Sequence, residues 1–320
     1  MPDPTPNTVR HRYCVYGLVV ESELRLSSVQ SCCDERAPAI SITEAPDGFF
    51  AQRAAGLRRD SEEWIRHVVL DDGSVYMRVN SIFETIVTAD GRLVASAKLG
   101  TVDDRTFEAN LVTFALTTSL TLQGEECLHA TVVAFDGKAI GLLGSSGAGK
   151  STLSACLLAQ GASLITDDML RVTFAGEGVL AHSGPHRLKL LDDSARHFLP
   201  GAVTQGSFNT LSGKTMFEPS CPTNAESRGT PLSALVWLAE EEAPSGDPEV
   251  SIQRLTGIER VKILTRSTMN IRYVTPERLM RQLRFAEQMA RAVPIFSIRY
   301  PRDYAALPAV AEALRQIINP

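Results

Sequence analysis

GSSGAGKSTLSACLLAQGASLITDD, residues 144–168, decides how this chain of 320 residues is read. Its first eight residues fit G-x-x-x-x-G-K-[ST], with Gly144, Gly149, Lys150 and Ser151 at the fixed positions. Each residue type is needed where it stands. Glycines let a tight loop turn successive backbone N–H groups toward phosphate oxygens without a Cβ in the way. A lysine brings a point charge to the β- and γ-phosphates, a serine hydroxyl can ligate Mg²⁺, and the helix that follows adds its positive end. The apolar AIGLL runs into the loop as a strand, and TLSACLLAQGA leaves it as a short helix that Gly161 can stop. That context separates the stretch from a glycine-rich turn that binds nothing. Gly144, Ser145, Ser146, Gly147, Ala148, Gly149, Lys150, Ser151 and Thr152 are therefore the expected nucleotide-binding residues.

SLIT reads as a buried strand that carries the chain to Asp167 and Asp168, 17 and 18 residues after Lys150. The strand beside a phosphate-binding loop commonly ends in an acidic residue that reaches the metal. A second carboxylate can accept a proton from a substrate hydroxyl. One of Asp167 and Asp168 can thus hold Mg²⁺ through water while the other takes the proton. The competing reading is a helix cap or a solvated turn before MLRV. His129 stands just before the strand TVVAF, 21 residues ahead of Lys150, and by itself reads as a structural histidine.

Outward from the loop, the pattern predicts an α/β fold. LHATVVAFDGKAIGLLG holds two strands around Asp136-Gly137, and RTFEANLVTFALTTSLTLQ before it is a helix with Phe107, Leu111 and Phe114 on one face. Residues 1–104 read as a β-rich N-terminal domain. In it RYCVYGLVVESEL is a strand, and Asp72-Gly73 and Asp90-Gly91 each turn a hairpin. Residues 51–66 hold a short helix or a loop. Residues 105–320 then form the domain that carries the phosphate loop. Residues 200–231 are a long polar stretch, either a functional loop or disordered, and SALVWLAEEE and VSIQRL a strand pair around PSGDPE. PERLMRQLRFAEQMARAV is an amphipathic helix facing its core with Leu279, Leu283, Ala286, Ala290 and Val293. IFSIRY is a late strand and ALPAVAEALRQII a closing helix.

Composition excludes several classes. Hydrophobic residues make up 44% and charged residues 22%, as in ordinary globular proteins. The net charge is −5 and the basic residues are scattered, which argues against a nucleic-acid or membrane partner. Apolar runs are too short for a membrane-spanning helix, and MPDPTPNTVRHRY has prolines where a signal peptide needs an apolar core. Six cysteines, at positions 14, 32, 33, 127, 156 and 221, show no framework spacing, so reduced thiols and a cytoplasmic location are expected.

Taken together, CLHATVV, GSSGAGKST and LITDD resemble, in order and spacing, the catalytic P-loop domain of the bacterial HPr kinase/phosphorylase family. The resemblance spans roughly residues 105–270 and is specific over about 125–170. It implies an ATP- and Mg²⁺-dependent kinase. Lys150 would bind the phosphates and Ser151 the metal, Asp168 (with Asp167 close by) would take the proton from a serine hydroxyl, and His129 would assist. The chain departs from that family where the loop continues Ser151-Thr152 instead of Ser-Glu. The E-I-R-G-L-G segment and the later basic loop have no counterpart. It looks closer to divergent HPr-kinase-like proteins that open with a strand like YGLVVESELRL and carry P-R-L-K-L, here HRLKL, and a lysine loop, here SGKTMFEP. Some of that set accompany lasso-peptide clusters and phosphorylate a precursor peptide. A peptide or small-protein substrate and a homo-oligomer are what the resemblance implies.

For the acceptor side, Arg187, Lys189 and Lys214 are candidates to neutralise charge on the transferring phosphoryl group. HRLKLL also alternates as a half-buried strand would, which leaves solvated basic side chains as the other reading. Two further functions stay open: an ATP-binding sensing or docking module without transfer, and an ATPase or small-molecule kinase acting on, for instance, free serine.

Overall fold

The computed structural model describes residues 9–57, 63–176, 178–209, 212–219, 229–239, 250–270 and 273–318. The expected PSGDPE turn and Cys221 lie outside the described residues. The chain divides into two compact units, Met1–Glu125 with Asn270–Tyr273 and Glu126–Met269 with Val274–Pro320. The boundary expected at 104/105 therefore falls at 125/126, and the helix that was to open the second domain belongs to the first.

The first unit is built on an eight-stranded sheet. RYCVYGLVVESEL is not one strand. It folds into a hairpin, His11–Val15 against Leu18–Ser22, because Tyr16 and Gly17 both take positive φ, 54° and 72°, as a two-residue turn requires. Both Asp-Gly hairpins form as expected, Ile65–Val69 with Val75–Val79 and Phe83–Val87 with Leu93–Lys98. At Gly91 a Cβ would stand 2.3 Å from the Ser119 carbonyl oxygen, so the second turn tolerates nothing larger. Ser119 lies on a helical run, Asp104–Asn110, a π-turn Leu111–Ala115, and Leu116–Leu122, capped by Asp103 accepting from the Thr106 N–H. A single apolar face was expected there, but most of the run is buried. Two of its hydroxyls bond back to the helix itself, Thr113 donating to the Ala109 carbonyl at 2.8 Å and Thr121 to that of Thr117 at 2.9 Å.

The second unit holds the phosphate loop on a mixed sheet. Its order runs Ser163–Thr166, Thr131–Phe135, Lys138–Leu143, Thr230–Leu238, and then Gly178–Ala181 and Val172–Ala175. Lys138–Leu143 is parallel to Thr230–Leu238, which is in turn parallel to Ile295–Arg299. Side chains alternate between two cores. Ile140, Leu142 and Val236 pack with Leu153, Leu157, Val310 and Leu314 from the loop helix and the closing helix. Ala139, Leu143 and Leu235 pack with Leu264, Ala286 and Met289 on the other face. This is an α/β layer with helices on both sides, as the alternating pattern predicts.

Four expectations change. SLIT is not beside the loop strand, since Thr131–Phe135 lies between them. Thr230–Leu238 and Ser251–Arg254 do not pair, because Ile295–Arg299 is inserted between them and bonds both. The polar stretch 200–231 contains two strands, Val203–Ser207 and Thr215–Glu218, in a small sheet with Leu188–Leu190. The helix Pro276–Ala292 buries Ala286 and Ala290, with Val293 at its end, as expected, but in its first half Leu279 and Leu283 are about half exposed, while Arg278 and Gln282 are buried. Arg278 reaches the Glu126 carboxylate at 3.0 Å and Gln282 donates to the Thr268 hydroxyl at 3.0 Å, so a polar pair of contacts fixes the helix's rotation. Among the described residues no helix is long and apolar enough to cross a membrane.

Candidate active site

Strand direction gathers the site. Thr131–Phe135 is antiparallel to both Lys138–Leu143 and Ser163–Thr166, so its beginning lies at the same sheet end as their ends. His129, the loop and the Asp167-Asp168 pair therefore arrive together. A second short ladder, Leu128–His129 with Met169–Leu170, sets His129 opposite Met169.

The loop has the conformation its glycines permit. Gly147 and Gly149 lie at φ 83° and 89°, and Gly149 is the N-cap of the helix Lys150–Ala159. Lys150 folds back over the loop, its Nζ donating to the carbonyls of Gly144 at 2.7 Å and Ser145 at 3.1 Å. Burial pulls its ammonium down to about 8, with Asp167 opposing the fall and Lys214 adding to it.

The two carboxylates have different surroundings. Asp167 is buried, and its two oxygens accept from the Thr131 hydroxyl at 2.7 Å and the Lys189 backbone N–H at 3.0 Å. Asp168 sits at φ 71° and leads into the strand Met169–Leu170, which removes the helix-cap reading. Its carbonyl accepts from the Ala130 N–H at 3.2 Å and lies 3.1 Å from His129 Nδ1. Because a carbonyl only accepts, Nδ1 carries the hydrogen and Nε2 keeps its lone pair. Burial, helped by the charges of Lys150, Lys189 and Lys214 and opposed by Asp167, pushes the imidazole down to about 4, leaving it neutral at neutral pH.

The Asp168 carboxylate is ion-paired with Lys189. Lys189 lies on the Leu188–Leu190 strand, buried on every residue, so the solvated reading of HRLKLL fails at this lysine. Its ammonium is 3.3 Å from the centre of the Phe208 ring, and burial pulls its pKa below the usual lysine range. Arg187 is buried one residue before that strand. Lys214 is half-buried just before Thr215–Glu218, the strand paired with Leu188–Leu190, and its charge acts on Lys150, Lys189 and His129. His129, Lys150, Asp167, Asp168, Lys189 and Lys214 thus form one electrostatic cluster.

Three features escaped the sequence reading. Thr131 orients Asp167. Thr152 and Tyr304 are joined through Ser194, with oxygen–oxygen distances of 3.1 and 3.0 Å. Arg302 braces the loop, donating to the Ala148 carbonyl at 2.6 Å and to that of Ala239 while covering the Tyr300 ring at 4.7 Å. The only sequence signal was YPRDY after a strand, which acquires meaning once Ile295–Arg299 is seen to run parallel within the loop strand's sheet and so ends at the same side.

Ser151 lies in the first turn of the helix and Asp167 supplies a carboxylate whose charge reaches Lys150, a set of oxygen donors that suits a hard cation such as Mg²⁺. Among the described residues no cluster of three or more His, Cys, Asp or Glu side chains that could hold a metal ion is present.

A scan against protein-family models finds no match, and a search of curated proteins finds none. Among solved structures, the HPr(Ser) kinase/phosphatase from Coxiella burnetii is similar at 11% identity and a TM-score of 0.30, over 59% of this chain and 94% of that one. At that level the likeness assigns neither mechanism nor substrate.

Proposed function

We propose that the chain is an ATP- and Mg²⁺-dependent phosphotransferase that moves the γ-phosphoryl group to a hydroxyl, that of a serine in a peptide or small protein. The observation that carries this reading is the convergence, at one sheet end, of a glycine loop with its lysine and an Asp-Asp pair set among His129, Lys189 and Lys214. Phosphoryl transfer asks for positioning and positive charge more than for covalent chemistry, and this cluster offers both.

In this mechanism Lys150 leaves the Gly144 and Ser145 carbonyls for the β- and γ-phosphates. Ser151 and Asp167 would hold Mg²⁺, which when bound would neutralise charge on those phosphates. The acceptor oxygen attacks the γ-phosphorus as the bond to the β–γ bridging oxygen breaks, and its proton passes to Asp168. Lys189 then turns from Asp168 toward the charge developing on the transferred group, and Lys214 adds a second cation. His129, neutral and donating through Nδ1 to the Asp168 carbonyl, holds that residue in its left-handed turn.

A second reading draws support from the same contacts. Asp168 is engaged by Lys189 and Lys150 by loop carbonyls, as in a nucleotide-sensing module that opens on binding and transfers nothing. Mass spectrometry of peptides encoded beside this gene, incubated with protein, ATP and Mg²⁺, separates the two. A gain of one phosphoryl group that disappears with Lys150→Ala supports transfer. Tight ATP binding with every peptide, free serine and ATP itself unchanged supports the sensing module.

A further inference from the structure

Beside the phosphate loop lies a cavity of about 410 Å³. One wall is the loop itself, Ser145 and residues 147–149. The others come from Thr152 on the loop helix, Leu191 and Ser194, and the segment from Tyr300 to Leu307 that follows the strand Ile295–Arg299. All belong to the second unit. The volume lies in the range of about 300–1,000 Å³ usual for small-molecule sites.

We infer that this cavity takes the nucleoside of the nucleotide whose phosphates rest on residues 144–151, with the base stacked on Tyr304. The inference rests on the phosphate-loop reading above and adds where the rest of the ligand goes.

Tyr304 is a prepared platform. Its ring is backed by His197 at 4.7 Å with the planes 35° apart, and Phe198 meets it edge-on at 5.2 Å. Its hydroxyl is tied to Ser194, which is tied to Thr152 in the first turn of the loop helix. A ring held at both ends gives up little freedom when a flat ligand settles on it. Arg302 fixes the boundary between cavity and loop, bonded to the Ala148 carbonyl and lying over Tyr300. A Cβ on Gly149 would stand 3.3 Å from the Arg302 guanidinium and 3.4 Å from the Tyr300 hydroxyl, so this segment and the loop already touch. The Asp303 carboxylate, which accepts from the Ala306 N–H at 2.7 Å, and the Thr152–Ser194–Tyr304 hydroxyl chain give the cavity the few polar groups that a ribose and a heterocyclic edge need.

The test compares ATP with inorganic tripolyphosphate, which offers the loop its phosphates without a nucleoside, in calorimetric titrations of the full chain. The wild type is expected to bind ATP the more tightly. Tyr304→Ala should weaken ATP about tenfold or more, the scale of a lost base stack, and leave tripolyphosphate unchanged. Lys150→Ala should weaken both. Should Tyr304→Ala fail to unfold cooperatively, Leu191→Trp takes its place. That side chain is half exposed on the cavity rim, and its replacement should shift ATP affinity alone. Equal wild-type affinities for the two ligands, or variants that move both ligands together or neither, overturn the nucleoside site and leave the phosphate loop standing. A wild type that binds neither ligand overturns the phosphate-loop reading, and the nucleoside site with it.

Discussion

Lys150 must be charged to hold a phosphate, in a place that penalises charge. Burial brings its pKa to about 8, against an ordinary value of 10.5. Below about pH 8 the folded chain carries the full cost of that buried ammonium. Between about 8 and 10.5 the unfolded chain binds a proton that the folded chain does not, so stability rises with pH through that window. Lys150→Met should therefore raise the melting temperature of the ligand-free protein at pH 7 and abolish nucleotide binding. Affinity for ATP has the opposite sign. It should be flat up to about pH 8 and fall above it, because each binding event then has to take up a proton. Lys150→Arg, whose charge does not titrate in this range, should remove the fall. Titrations from pH 7 to 9.5 check both, and an affinity independent of pH in the wild type contradicts the assignment. The loop's residues were legible because their spacing is local. The burial of Lys189 was not: LKL looks like an alternating strand, and what encloses its lysine is Asp168 and Phe208, about twenty residues away on either side.

At the scale of elements, the helix Pro276–Ala292 shows where periodicity alone falls short: Ala286, Ala290 and Val293 face the core as expected, and Leu279 and Leu283 do not. Leu279 and Leu283 outrank Arg278 and Gln282 on any hydrophobic scale, but Glu126 is buried on the far side and needs a cation. Once Arg278 pairs with it and with the Met269 carbonyl, the rotation of the helix is fixed. Arg278→Met should cost about 3–5 kcal/mol in urea unfolding, since it leaves Glu126 buried without its closest partner. Adding Glu126→Leu should recover much of that loss, because two apolar residues replace two ions. If the single variant is no less stable than wild type, the pair does not hold the helix. The N-cap is worth less: Thr275 accepts from the Arg278 N–H at 3.2 Å, and Thr275→Ala should cost about 1 kcal/mol. Existence and type of this helix, of the loop helix and of both Asp-Gly hairpins were readable in the sequence. Partners were not. The insertion of Ile295–Arg299 between Thr230–Leu238 and Ser251–Arg254 depends on pairings some sixty and forty residues apart, for which a local pattern carries no information.

For the whole molecule, the sequence predicted two parts, a β-rich one and an α/β one with the phosphate loop, and misplaced the joint by one helix. That helix, with Phe107, Leu111 and Phe114 on one face, was expected to open the second domain. Thr113 and Thr121 donate to backbone carbonyls of the same run, and Phe107 meets the Phe83 ring edge-on at 6.2 Å in the first unit. The candidate site was legible as a list of residues and not as a geometry. What joins His129 to Asp168 is the reversal of Thr131–Phe135 between two strands that run the same way, a property of the sheet and of no single motif. The claim that this sheet end transfers a phosphoryl group, and does not merely hold one, turns on Asp168. The measurement that tests it most directly is the rate of phosphoryl transfer by Asp168→Asn, with its ATP affinity measured alongside. The account predicts a transfer rate lower by roughly two to four orders of magnitude, the usual contribution of a positioned base, with ATP affinity within a few-fold of wild type. Transfer at the wild-type rate would contradict it.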